Sequence, residues 1–459
     1  MRRLLVAVVL TAVVVAPAAA RVGSVSGTIV TVAGTGTTGI SGDGGPATAA
    51  AVEHPRGLAV LRDGSVVVAE PFDNVVRRLA ADGTISTVAG TGAAGFKGDG
   101  GAASLARLDF VHGVAAMPDG GFVLADTLNE RIRRVLPDGR IETVAGSGVR
   151  GYAGDGGAAT AAAFEDPRGV ATFPDGRILI PDTGNDRIRL VRLDGTIETV
   201  AGDGVSGFAG DGGPATAAEL RTPFGVAPLP DGGFLVDDSG NARIRRVWPD
   251  GHISTVAGNG VAGYSGDGGP AVDAELRGVH NLVAAPGGFL IADTGNDRVR
   301  LVRDGTIETV AGSGANGFSG DGGPATAAAL DQPKAVALTK EGSILIADAA
   351  NNRVRLVDAG LRAAPALWLL SRSLRARSGA PIRIRFTLDG PARIRVRLLR
   401  KATTAASGSA SGRAGANTIV LRKRLRAGRY RIELSATAAS GETAHASGVV
   451  TVTPRTKRR

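Results

Sequence analysis

TVAGTGTTGISGDGGPATAA, residues 31–50, is written six times in this chain with small changes. The T-V-A-G words begin at Thr31, Thr87, Thr143, Thr199, Thr255 and Thr309, spaced by 56 residues four times and then by 54. A fixed period of this length over three-quarters of the chain marks a repeat architecture, in which each unit buries its apolar surface against the next.

One unit shows what is repeated. Gly57–Leu61 is a short apolar run, Asp63-Gly64 a turn signal, and Ser65–Ala69 a second run rich in β-branched residues. A polar corner leads to Val75–Leu79, another Asp-Gly turn stands at 82–83, and Thr84–Ala89 closes the unit. These are four short strands joined by tight turns. The second strand is apolar at consecutive positions, as in ILI (178–180) and FLI (289–291), so both its faces are expected to be buried. The chain holds six T-V-A-G strands and six sets of the other three, offset by one. Gly27–Gly34 precedes the first set, and the last set stops at Ala359-Gly360 without its own fourth strand. The first strand is therefore expected to pair with Arg353–Val357 and shut a six-bladed β-propeller, which removes both open sheet edges. Pro46–Ala50, at the end of the quoted stretch, reads as one helical turn.

The words LADTLNERIRRV (124–135), PDTGNDRIRLV (181–191), DDSGNARIRRV (237–247), ADTGNDRVRLV (292–302) and ADAANNRVRLV (347–357) resemble the NHL repeat. The TVAG…GYSGDGGPA connection is similar to that of the bacterial and teneurin-type branch of that group. The resemblance covers roughly residues 25–360 and implies the propeller fold. It says little about activity, because such propellers include protein-binding, RNA-binding, sensor and lyase members.

Asp43, Asp99, Asp155, Asp211, Asp267 and Asp321 recur in G-D-G-G. They read as turn residues whose carboxylates take backbone N–H bonds, or as Ca²⁺ ligands, although one carboxylate per loop is poor calcium ligation. The corner motif D-x-x-N-x-R sets Asp126, Asp182, Asp238, Asp293 and Asp348 five positions before Arg131, Arg187, Arg243, Arg298 and Arg353, which suggests a repeated ion pair. Blade 1 departs from it with Glu70 for Asp, Asp73 for Asn and Val75 for Arg, and so places two carboxylates on the expected ligand face.

A binding site is expected where the copies disagree. The position at the start of each inner strand is Arg56, His112, Arg168, Phe224, His280 and Lys334. These six are expected to ring the mouth of the central channel, with Glu70 and Asp73 to one side. Three permanent cations there suit an anion. The two histidines would strengthen anion binding below about pH 6.5. The alternative is a metal-dependent lyase or hydrolase using His112 and His280, for which a third ligand at matching depth is missing. No cofactor is expected, Ca²⁺ or a channel-bound divalent metal being the alternative.

The ends of the chain differ from its body. Arg2 and Arg3, an apolar run over Leu4–Val15 and Ala18-Ala19-Ala20 form a secretory signal peptide over residues 1–20, implying a secreted or cell-surface protein. No other apolar stretch is long enough to cross a membrane. Cysteine is absent, which excludes thiol chemistry, disulfides and a lipoprotein anchor. From Arg362 onward, 22 Lys and Arg stand against Asp389, Glu433 and Glu442, a net +19, while residues 1–361 carry −9. The acidic body argues against nucleic-acid binding. The alternating runs 382–388, 392–399, 417–425, 428–438 and 447–453 predict an immunoglobulin-like β-sandwich over 362–453, with Ala402–Ala416 as a loop and 454–459 as a basic tail. It resembles accessory sandwiches of exported actinobacterial proteins. Its arginines would either keep an exposed β-surface soluble or hold the protein to anionic cell-envelope polymer or lipid headgroups. Together these readings describe a non-catalytic binding scaffold that takes a protein or a small anion at the mouth.

Overall fold

The computed structural model describes residues 27–361 and, beyond them, 367–369, 373–377, 382–388, 392–400, 403–413, 415–421, 425–437 and 443–453. The expected signal peptide and basic tail lie outside the described residues.

Six four-stranded antiparallel sheets form the propeller. Blade 1 consists of Gly57–Val60, Val66–Glu70, Val75–Leu79 and Ile85–Ala89. Blades 2 to 5 repeat it, with inner strands starting at Val111, Ala171, Pro223 and Asn281. Blade 6 takes Pro333–Leu338, Ile344–Asp348 and Arg353–Val357 from the end of the repeat region and Ile29–Ala33 from its beginning. Ile29 pairs with Val357, Val30 with Leu356 and Thr31 with Arg355, so the ring closes as the strand count implied. The second strand of blade 1, Val66–Glu70, is buried at every position, and its counterparts repeat this. The reason is lateral stacking: six apolar clusters each join two consecutive blades, including blade 6 to blade 1 through Val354, Ala335 and Val68.

The recurring G-D-G-G aspartate ties each incoming loop to the blade it leads into. Arg133, fully buried in the third strand of blade 2, donates to Asp99 at 2.6 Å, and Thr143 of the outer strand donates its hydroxyl to the other carboxylate oxygen at 2.7 Å. Asp43, Asp155, Asp211, Asp267 and Asp321 pair with Arg77, Arg189, Arg245, Arg300 and Arg355, and all of them but Asp321 also accept from the outer-strand threonine. With their oxygens so engaged, these aspartates are poor candidates for Ca²⁺. The short helical turn after each loop is a 3₁₀ turn, Ala47–Ala49 in the first copy, which starts after Pro46.

The corner aspartate has a different partner from the expected one. Asp126 does not bond Arg131, although the two are opposite in register. It binds Arg133 at 3.2 Å, and the same seven-residue offset joins Asp182 to Arg189, Asp238 to Arg245, Asp293 to Arg300 and Asp348 to Arg355. Arg131 sits at the strand's end. It turns outward to the carbonyls of Asn129 and Ser147 and lies 3.8 Å from the centroid of the Phe96 ring.

The C-terminal strands form a small sandwich of two sheets. Leu367–Leu369, Ile382–Leu388 and Gly415–Leu421 make one. The other runs in the order Ser373–Arg377, Thr443–Thr453, Gly428–Thr437, Ala392–Arg400, Thr403–Gly412. Thr403–Gly412 is therefore a strand, against the expectation of a Ser/Ala/Gly loop. Its small residues let the sheet approach the core: a Cβ on Gly412 would lie 2.3 Å from Leu388 Cδ1.

Candidate functional site

The inner strands pack side by side around the central channel, each touching the next and the sixth touching the first. Residues at or just before the strand starts bring the six varied side chains to one place. A narrow pocket is lined there by Arg56, His112, Arg168, Phe224, His280 and Asn281 with the adjoining backbone. His112 and His280, three blades apart, face each other with ring centroids 6.4 Å apart, and Phe224 stacks on His280 at 4.5 Å. Lys334 Nζ donates to His280 Nε2 at 3.0 Å, so that imidazole is neutral and accepting. The guanidinium of Arg168 lies 5.0 Å from the Phe224 centroid and binds Asp166 at 2.6 Å.

The mouth is strongly cationic and poorly compensated. Arg56, Arg168 and Lys334 share it, with Asp166 as the one carboxylate in contact with any of them among the described residues. Burial, then the Arg168 charge, pushes Arg56 down to about 10. Burial, then Arg56 and Arg168, pushes Lys334 down to about 8. Burial is also the main cause that holds His112 and His280 well below the usual imidazole range, with the surrounding cations adding to it. The expected histidine switch near pH 6.5 is thereby displaced, and the group that titrates nearest neutrality is Lys334. Arg56 Nε, His112 Nε2 and His280 Nδ1 are buried without a hydrogen-bond partner. Buried polar atoms of this kind are costly unless something fills the site.

Metal does not fit this donor set. Two imidazoles stand among three cations, and among the described residues no three His, Asp or Glu side chains converge on a point. Glu70 and Asp73, expected beside the mouth, do not line the pocket. Glu70 is fully buried under blade 1, accepts the Glu53 N–H at 3.0 Å, and is pushed up to about 8 chiefly by burial, with Arg77 pulling it back. Asp73 is raised by burial and by Glu53.

Sequence reasoning missed the aromatic rim. Arg56 lies 5.2 Å from the centroids of both Phe72 and Phe110, and His54 meets Phe72 edge-on at 5.2 Å. Phe72 is half exposed. Phe110 and His54 occupy a left-handed backbone position (φ 56° and 44°), uncommon for bulky side chains. A signal was available: residues 54, 110, 166, 222, 278 and 332, two before the ring, also differ in every copy.

Comparison with known proteins agrees with this architecture. Teneurin-m of Drosophila melanogaster is 28% identical over 353 residues, covering 68% of this chain and 12% of the relative. Mouse Teneurin-4 is 30% identical over 232 residues, covering 45% of this chain and 8% of the relative. This chain thus spans only a small fraction of those proteins. No family model matches. Two solved structures share the fold at TM-score 0.53: a protein of unknown function from Bacteroides thetaiotaomicron (17% identical, 72% of this chain, 75% of that one) and an auxiliary nutrient binding protein from Bacteroides ovatus (14% identical, 72% and 76%). Among the described residues no helix is long and apolar enough to cross a membrane. By its repeat words and its six closed blades, this chain is a six-bladed β-propeller whose repeats are similar to the NHL-type repeats of the teneurins.

Proposed function

We propose that this protein is an exported, non-catalytic scaffold whose propeller mouth captures a small anion or an acidic group of a protein partner. The observation that carries this reading is the crowding of Arg56, Arg168 and Lys334 around buried, unpartnered nitrogen atoms, with one carboxylate among them. An arriving carboxylate or phosphate would relieve the repulsion and satisfy those atoms. The half-exposed Phe72 beside Arg56 favours an anion that carries an apolar portion. Export rests on the leader-like residues 1–20. Retention at the cell envelope rests on the +19 charge of the chain after residue 361, which would hold anionic polymer there.

The test combines heat stability with binding. Anions such as phosphate, citrate and phenylacetate are expected to raise the melting temperature of the wild-type protein. That rise should weaken as pH passes about 8, where Lys334 loses its charge. In the triple variant Arg56→Ala, Arg168→Ala, Lys334→Ala the rise should vanish, while the unliganded protein melts higher than wild type because the repulsion is gone. A triple variant that keeps the anion response, or a response that grows only below pH 6.5, overturns the reading.

A further inference from the structure

The two faces of the five-stranded sheet differ sharply. Along Ala392–Arg400, Ile394, Val396 and Leu398 enter the sandwich core, while Arg393, Arg395 and Arg397 alternate with them and are exposed. Successive outward residues of a strand stand about 6.8 Å apart. The register sets a small polar residue on each side of two of these arginines: Ser411 and Thr437 flank Arg393, and Ser409 and Ser435 flank Arg395. Ser407 and Glu433 flank Arg397. On the neighbouring strand Arg429 and Arg431 are also exposed. Glu433 is the one acidic residue on this face among the described residues; it binds Arg431 at 2.6 Å and lies 3.9 Å from Arg397, which also donates to the Thr404 hydroxyl at 2.9 Å. The cations are all arginine, whose planar fork suits phosphate oxygens in pairs.

We propose that this outward face, centred on Arg393, Arg395 and Arg397, docks a linear phosphodiester polyanion lying along the strand, with the flanking hydroxyls bonding its backbone oxygens. The proposal rests on the envelope-attachment reading and assigns the surface that performs it. A straight row of like charges at even spacing matches a chain that repeats its charge. A bilayer-binding face would instead present aromatic or long aliphatic side chains to the acyl boundary. Here the outward register positions are mainly arginine, serine and threonine, with Glu433, His445, Val449 and a buried Leu399, and the sheet's tyrosine, Tyr430, is buried.

The experiment uses the full chain and poly(glycerol phosphate) as the probe. Binding is measured against salt for the wild type, for Arg393→Gln/Arg395→Gln/Arg397→Gln, and for Arg383→Gln/Arg385→Gln, whose arginines are exposed on the other sheet. The first variant should lose about tenfold or more in affinity at low salt and flatten the salt slope by about two to three charges; the second should change little. Melting curves verify that both variants fold. Equal losses in the two variants, or none in the first, sink the assignment of the face while leaving attachment intact. Wild-type binding to anionic vesicles but not to the polymer sinks the choice of ligand. Failure of the wild type to bind polymer or vesicles even at low salt sinks the attachment reading itself.

Discussion

Blades 1 and 2 follow one plan with different fidelity. In blade 2, Phe96 covers Arg131, Arg131 reaches the Ser147 carbonyl, Asn129 donates to Asp126 at 2.9 Å, and Thr127 bonds the Pro167 carbonyl of the next blade. In blade 1 the corresponding residues are Ile40, Val75, Asp73, Glu70 and Pro71. The aromatic ring and the arginine beneath it are lost together. Even the loop glycine reflects the loss: a Cβ on Gly148 would lie 2.1 Å from the Arg131 guanidinium, whereas on Gly92 the nearest atom is 3.7 Å away. The repeats therefore vary in coupled sets, and each set is a physical contact. What blade 1 gains is a corner that carries Phe72 to the mouth, where blade 3 has Gly184 and blade 4 Gly240.

The largest expected effect concerns the buried arginines. Arg133→Met strands Asp126, which has no exposure and is already pushed up to about 6 by burial. The expected loss is about 3–5 kcal/mol in urea titrations. Arg77→Met strands a half-exposed Asp43 and a Glu70 that is mostly protonated at neutral pH, so its cost should be roughly half as large. Equal costs would break the contrast between the blades.

The next effect depends on pH. Glu70 is raised above the pKa it has in an unfolded chain, so stability is lost as pH climbs from about 4.5 to about 8. Restoring the regular corner with Glu70→Asp and Asp73→Asn brings in a carboxyl that burial raises only to about 6 in blade 2. Stability measured from pH 5 to 9 should decline less, with a gain on the order of 2 kcal/mol at pH 8. A parallel decline in both proteins would remove Glu70 from the account.

The internal copies explain what could be read before the structure. Ring closure was legible because strands could be counted, and the mouth residues because one position per blade broke a pattern. The offset of the ion pair was not legible, since Arg131 and Arg133 share a strand face and only depth separates the outward from the buried one. Thr403–Gly412 was hidden for a similar reason. Its residues look like a linker until a partner strand and a core that needs close approach are known. Phe72 belongs to a corner rather than to an inner strand, so no comparison of inner strands would find it.

The smallest effect would sharpen the comparison most. Ile40→Phe and Val75→Arg together should rebuild the missing clamp over Gly92, which still leaves room for it. Each change alone should be neutral or slightly harmful. Their coupling in a double-mutant cycle should be about 0.5–1 kcal/mol. Strict additivity would mean that the five aromatic–arginine stacks are coincident rather than cooperative.

The closing strand also sets a timetable. Ile29 leaves the ribosome early but pairs with Val357, so the first strand has to wait for nearly the whole propeller. Until then blade 6 lacks its outer strand, and the apolar cluster that joins blade 6 to blade 1 cannot form. Closing a loop of this length costs about 5 kcal/mol of chain entropy. Once it is made, no blade is terminal, and fraying has no end at which to begin. Assembly is therefore slow to finish and, when finished, hard to undo: the molecule's durability is expected to lie in the height of its unfolding barrier as much as in its equilibrium stability.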